Sequence, residues 1–106
     1  MSAKEQSRLQ ARDQIIKALG HPSRLMMVEA LANGERCVCE LTEMVGADMS
    51  TVSKHLALLK SSGIVQDEKR SPMVFYSLRV PCILKFLGCV EAVLESNAKQ
   101  HNALVK

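Results

Sequence analysis

The stretch CVCELTEMVGADMSTVSKHLALLKSSG, residues 37–63, holds two short apolar periods divided by a glycine. From Cys39 to Val45, the spacing of Leu41, Met44 and Val45 predicts a short helix with those three side chains turned inward, ended by Gly46. Asp48 and Ser50 are both good N-caps, and the next helix is expected to run from there to Ser62, ahead of Gly63. On it Val52, Leu56 and Leu59 share one face, while Ser50, Ser53, Lys54, Ala57 and Ser61 occupy the other. Two helices joined through a glycine turn form a helix-turn-helix. Small hydroxyl side chains and a lysine at the start of the second helix suit a major-groove reader, because they hydrogen-bond to base edges without holding the backbone away from the DNA. Ser50, Thr51, Ser53, Lys54 and His55 are therefore the candidate DNA contacts, with Lys60 further along the same helix. His55 is equally suited to packing at the helix shoulder.

Past Gly63 the period changes. Ile64-Val65 and Val74-Phe75-Tyr76 with Leu78 are β-rich runs, separated by the polar segment Asp67-Glu68-Lys69-Arg70-Ser71-Pro72. A hairpin over residues 64–79 is expected, its tip carrying Lys69 and Arg70. A hairpin attached to a helix-turn-helix makes a wing, and cations at its tip can meet phosphate or the minor groove.

Upstream, Lys4 to Leu19 reads as a helix with sparse apolar positions at Leu9, Ile15, Ile16 and Leu19, stopped by Gly20. His21-Pro22 restarts the chain, and Leu25, Met26, Val28, Leu31 and Ala32 give the following helix a broad buried face. Downstream, Pro81 is expected to open a last helix over about residues 81–98, in which Ile83, Leu87, Val90 and Leu94 form one stripe and Cys82, Phe86, Cys89 and Val93 its neighbour. So apolar a surface calls for a partner. Packing it with the first helix, through Leu9, Ile15 and Ile16, against a second copy gives a two-fold homodimer, which reads a palindromic operator. The expected architecture is mostly α with a small β-hairpin wing (α+β): one winged helix-turn-helix domain over residues 1–106, dimerised by its first and last helices.

Composition agrees. The chain of 106 residues has 47% hydrophobic but only 3% aromatic residues, and its apolar content is mainly Leu, Val, Ala and Met, which favours helix. No apolar run approaches the roughly 20 residues that cross a bilayer, and the polar start MSAKEQSRLQ has no export signal, so a cytoplasmic protein with no membrane partner is expected. In a reducing compartment the four cysteines are expected to be free, metal-binding or redox-active rather than structural disulfides. Net charge is only +3, but its distribution is uneven. Residues 35–48 carry Glu35, Glu40, Glu43 and Asp48 against Arg36, whereas residues 49–79 carry Lys54, Lys60, Lys69, Arg70 and Arg79 against Asp67 and Glu68. The local cation excess suits phosphate contact.

Leu19-Gly20-His21-Pro22-Ser23-Arg24-Leu25, Cys37-Val38-Cys39-Glu40-Leu41, Ser50 to Gly63, and Phe75-Tyr76-Ser77-Leu78 together resemble the ArsR/SmtB family of metal-responsive winged-helix repressors. The resemblance spans about residues 15–95. It implies a transcriptional repressor, not an enzyme, whose apo dimer binds double-stranded operator DNA of a resistance operon and lets go on binding its inducer. The reading helix maps onto Ser50 to Ser62 and the wing onto Ile64 to Leu78.

Thiolates select thiophilic ions, so Cys37 and Cys39 point to arsenite or antimonite as inducer, with cadmium or zinc less favoured. Arg36 and a helix N-terminus beside them favour the thiolate form. Within a regular helix, residues two apart point about 200° apart around the axis, so the pair can clasp one ion only if the first turn is irregular or unwound. Arsenic prefers three sulfurs, and the resemblance implies a third cysteine three residues after the second, where this chain has Thr42. Cys82 or Cys89, from either chain, or a small cellular thiol is then the candidate third ligand, unless two sulfurs suffice. Cys82 and Cys89 are equally suited to packing as small apolar side chains. The zinc-site positions implied by the resemblance hold Val80, Cys82, Val93 and Ser96, a poor set, and the methionines read as core filler. The same DNA-binding dimer with a cysteine redox or persulfide switch is the alternative. A small thiol oxidoreductase is a remote one, lacking a thioredoxin-like βαβ pattern.

Overall fold

The computed structural model describes residues 1–105. Its elements in chain order are α1 (Ala3–Leu19), α2 (Pro22–Ala30), a 3-10 turn (Leu31–Asn33), β1 (Arg36–Cys37), α3 (Val38–Val45), α4 (Met49–Ser61), β2 (Val65–Arg70), β3 (Met73–Leu78) and α5 (Ile83–Val105). The fold is a winged helix-turn-helix: five helices with a three-stranded antiparallel sheet of order β1-β3-β2.

Side-chain caps set where the helices begin. The Asp48 carboxylate accepts the Thr51 N–H at 3.0 Å, so Asp48 rather than Ser50 is the N-cap of α4. His21 Nδ1 accepts the Ser23 N–H at 3.0 Å and caps α2, with Pro22 in the first turn. Between α3 and α4 the chain reverses at Gly46, whose φ of 74° is left-handed and favours glycine.

The core gathers one face from each element. Ala18 and Leu19 of α1, Met27, Val28 and Leu31 around α2, Leu41 of α3, Val52, Leu56 and Leu59 of α4, and Ile64 and Val65 entering β2 form a single cluster. The face of α4 agrees with its spacing in the sequence. Two methionines depart from expectation: Met27, not Met26, is buried in α2, and Met44 of α3 remains 43% exposed. Both helices are amphipathic over barely two turns, so a one-position rotation decides which of two adjacent apolar side chains enters the core.

The wing also differs from expectation. Asp67 to Arg70 lie within β2, with Lys69 paired to Val74 and Arg70 to Met73, so the tip is Ser71-Pro72 alone. These polar residues can join a strand because the hairpin runs beyond the core and Glu68, Lys69 and Arg70 keep their side chains in solvent. A third strand, β1, was not apparent in the sequence: Arg36 pairs with Tyr76 and Cys37 with Phe75. At the C-terminal end, Pro81 and Cys82 lie in a turn, and α5 begins at Ile83 and extends past residue 98. Among the described residues no helix is long and apolar enough to cross a membrane.

Candidate nucleic-acid interface and cysteine pair

Val52, Leu56 and Leu59 bind α4 to the core, and this turns the opposite face outward. Ser50, Thr51, Ser53 and Lys54 are all exposed at its N-terminal end. Ser50 donates to the Asp48 carboxylate at 3.1 Å, and the hydrogen bonds from Thr51 and then Ser50 hold the Asp48 carboxyl below its ordinary range. His55 sits differently. Its Nδ1 lies 2.9 Å from Arg24 Nη1, its ring packs at 4.4 Å on the His21 ring, and it is half-buried. Burial first, and then electrostatic interaction with His21 and with the Arg24 guanidinium, lowers its pKa. His55 thus joins α4 to the start of α2, and Arg24 fastens the same corner to α1 by donating to the Ala18 carbonyl at 2.6 Å.

The remaining cations divide into free and engaged. Lys69 stands exposed at the end of β2. Lys60 is paired with Asp67 at 2.9 Å, which raises its pKa and ties the end of α4 to the wing. Arg70 is paired with Glu35 and lies over the Phe75 ring at 4.0 Å. That contact lowers the pKa of Glu35 and anchors the wing to the loop before β1. Nothing in the sequence pointed to Glu35, because its partner lies 35 positions away.

Cys37 and Cys39 come together. They form a disulfide in this structure, against the expectation of free thiols, with Cα atoms 5.4 Å apart. The expected helical obstacle does not arise, because Cys37 is not in the helix. It is the N-cap of α3, extended at φ −77°, ψ 160°, and its side chain folds forward over the first turn to meet Cys39. Cys37 Sγ accepts the Glu40 N–H at 3.3 Å, and the Glu40 carboxylate accepts the Cys37 N–H at 3.3 Å and pairs with Arg36 at the same distance. This is a capping box with cysteine in the place of serine, and the Cys-x-x-Glu spacing was a usable signal for it. Cys37 is buried at 2% exposure, whereas Cys39 is exposed.

A cleft of about 490 Å³ opens beside the pair, lined by Cys37, Val38, Cys39, Met49, Ser53, Pro72, Met73 and Val74. Its walls therefore belong to the start of α3, the start of α4 and the wing turn. Thr42 does not face it as a ligand: its hydroxyl donates to the Val38 carbonyl at 2.8 Å. Cys82 and Cys89 are exposed, before and on α5, and are not among the cleft's lining residues. Two sulfurs with this setting fit part of a thiophilic ion's shell. Among the described residues no group of three or more His, Cys, Asp or Glu is placed to hold a metal ion.

Residues 21–67, from the cap of α2 into β2, match the model of the arsR family of bacterial regulatory proteins. A biofilm growth-associated repressor of Xylella fastidiosa is 33% identical over 86 residues, covering 81% of this chain and 75% of that one. The chain belongs to the arsR family. An arsenic resistance transcriptional regulator of Pseudomonas putida is 37% identical over 65 residues, which are 60% of this chain and 51% of that protein. The homodimeric winged helix-turn-helix DNA-binding domain of Mb0332 from Mycobacterium bovis superposes with a TM-score of 0.81 at 26% identity, covering 95% of this chain and 94% of that one. As a member of the arsR family, the chain is a DNA-binding transcriptional regulator.

Proposed function

We propose that this arsR-family regulator is a cytoplasmic repressor that binds a palindromic operator as a homodimer, and that capture of arsenite or antimonite by reduced Cys37 and Cys39 releases it. The observation that carries this reading is the shared cleft, whose walls include the cysteine pair, Met49 and Ser53 of the reading helix, and the wing turn. A ligand held by the two sulfurs touches both DNA-contacting elements. It also acts on Cys37, which caps α3 and pairs with Phe75 of β3. Coupling of about 1–3 kcal/mol changes operator affinity roughly 5- to 150-fold.

Dimerisation is supported by the two outer helices. Leu9, Ile15 and Ile16 of α1 and Val90 and Leu94 of α5 are 40–57% exposed, with Ile83 and Leu87 half-buried at the base of the same stripe. The radius of gyration is 16.6 Å. A compact chain of about this length measures roughly 13 Å, so the helices project outward, as expected for elements that pack on a second copy. The two reading helices then enter successive major grooves, with half-sites one helical turn, about 34 Å, apart. Ser50, Thr51, Ser53 and Lys54 contact base edges and nearby phosphates, and Lys69 contacts the backbone from the wing. Lys60, His55 and Arg70 hold these elements in place.

The Cys37–Cys39 bond favours a second reading, in which oxidation of the dithiol, with polysulfide as oxidant, is itself the signal. Operator binding followed by fluorescence anisotropy separates the two. Reduced wild type is titrated with arsenite, antimonite, cadmium, zinc and polysulfide, beside Cys37→Ser, Cys39→Ser, Cys82→Ser and Cys89→Ser. Release by arsenite that fails in the first two variants and persists in the last two supports the inducer site. If arsenite leaves the wild-type complex intact while polysulfide dissolves it reversibly with reductant, the dithiol switch replaces it.

A further inference from the structure

Arg70 reaches across all three strands of the sheet, whose order is β1-β3-β2. It ends β2, its guanidinium lies over the Phe75 ring of β3 at 4.0 Å, and it donates to the carboxylate of Glu35, which directly precedes β1. Glu68 adds a second carboxylate 3.9 Å from Nε. With a ring under its face and carboxylates at its edge, the guanidinium is oriented as it would be for a phosphate, but an anion of the protein already takes its N–H groups. The hydrogen bond from Arg70 holds the Glu35 carboxyl below its ordinary range, so this anion keeps its charge at neutral pH. Both side chains are open to water, at 44% and 45% exposure. An exposed ion pair stabilises little, so it holds Arg70 yet gives way to a better-placed anion.

We propose that Glu35 is a specificity-determining residue: its carboxylate occupies Arg70 in the free protein and on unrelated DNA, and cedes it only to a phosphate of the operator. The inference rests on the reading that the wing meets the DNA backbone. The competition is between a tethered anion and one that has yet to be fixed. Glu35 is held against Arg70 by the fold, which gives its carboxylate a high effective concentration there. Where α4 finds no matching base edges, the duplex slides and hops, and no single phosphate is kept opposite the guanidinium. Where bases satisfy Ser50, Thr51, Ser53 and Lys54, the duplex sits in one register, and the phosphate beside the wing is tethered in its turn. Arg70 thus braces the wing until the operator is in place and there becomes one more phosphate contact. Glu35 withholds that contact from every other sequence.

The test uses the full chain, reduced, with a duplex carrying the operator and a random-sequence duplex of equal length, each titrated by fluorescence anisotropy over a range of salt. Glu35→Gln is expected to bind the random duplex roughly 3-fold or more tighter, with the slope of log affinity against log salt steeper by about 0.9, the value of one added phosphate contact. On the operator it is expected to keep the wild-type slope and to gain less, so the preference for the operator narrows. Arg70→Ala is expected to lose about 0.9 of slope on the operator and nothing on the random duplex. In Glu35→Gln/Arg70→Ala the effect of Glu35 is expected to disappear, which separates relief of Arg70 from a general loss of negative charge. If Glu35→Gln weakens operator binding, the pair is a brace only and the inference is overturned. Equal gains on the two duplexes, or a gain that survives Arg70→Ala, overturn it as well. If Lys69→Ala and Arg70→Ala both leave operator affinity and slope unchanged, the reading of the wing as a backbone contact itself fails.

Discussion

Leu41 links the cysteine pair to the reading helix. It is fully buried on α3, two residues beyond Cys39, where that helix packs on α2, α4 and β3. Leu41→Ala removes three carbons, a transfer loss of about 2.4 kcal/mol at ~0.8 kcal/mol each. The cavity left among rigid helices raises the total to about 3–4 kcal/mol. With a urea slope of about 1.5 kcal/mol per molar, the unfolding midpoint should fall by roughly 2 M. Met44→Ala, on the same helix but 43% exposed, should shift it by less than about 0.5 M. Unfolding is followed by circular dichroism at one fixed protein concentration, because association adds to apparent stability. The same cavity loosens the contact between α3 and α4. At a temperature where the variant is still folded, the ratio of operator affinities without and with inducer should therefore fall toward unity, even though both sulfurs remain. A loss below about 1 kcal/mol, or an intact ratio alongside the full loss, would refute the claim that this packing transmits the signal.

Three further outcomes are expected. Lys54→Ala should weaken operator binding and reduce the slope of log affinity against log salt by about 1, while leaving capture of arsenicals by the free protein within a few fold; loss of capture would show that the two sites are not separable. Because burial depresses the His55 pKa, the unfolded chain takes up that proton first as pH falls below about 6.5. The stability due to neutral His55 is therefore complete above that value and is lost as pH drops towards the folded-state pKa; denaturation midpoints between pH 7.5 and 5 should show this decline, and His55→Gln should flatten it. Thr42→Cys places a third sulfur three residues after Cys39 on one helix face, in place of a hydroxyl bonded to Val38. Its affinity for arsenous acid should rise at least about 10-fold over wild type, and an unchanged affinity would argue against a missing third ligand.

How much of this was legible in the chain depends on how local each feature is. The buried face of α4, the glycine turn at Gly46 and the wing follow from periods of helix and strand that any short window of sequence displays. The strand boundaries in the wing did not, because Asp67 to Arg70 pair through their backbones whatever their side chains prefer. The cysteine pair was read as a thiophilic site from residue type, with a clasp expected only if the first turn is irregular, and the extended Cys37 that caps α3 is such an irregular start. Whether Cys37 is inside α3 or caps it turns on a single ψ angle, and that angle is set by pairing with Phe75, far along the chain.

Sequence by itself determined the helix-turn-helix, the outward hydroxyl-and-lysine face of α4 and the apolar stripes of α1 and α5, since each is a repeat of side chains against a regular backbone. Only the tertiary structure decided that Arg70 is held by Glu35 and His55 by Arg24, and that two sulfurs share one cleft with the reading helix and the wing turn. Those contacts join residues from different elements, and their existence depends on how rigid elements pack rather than on any local pattern.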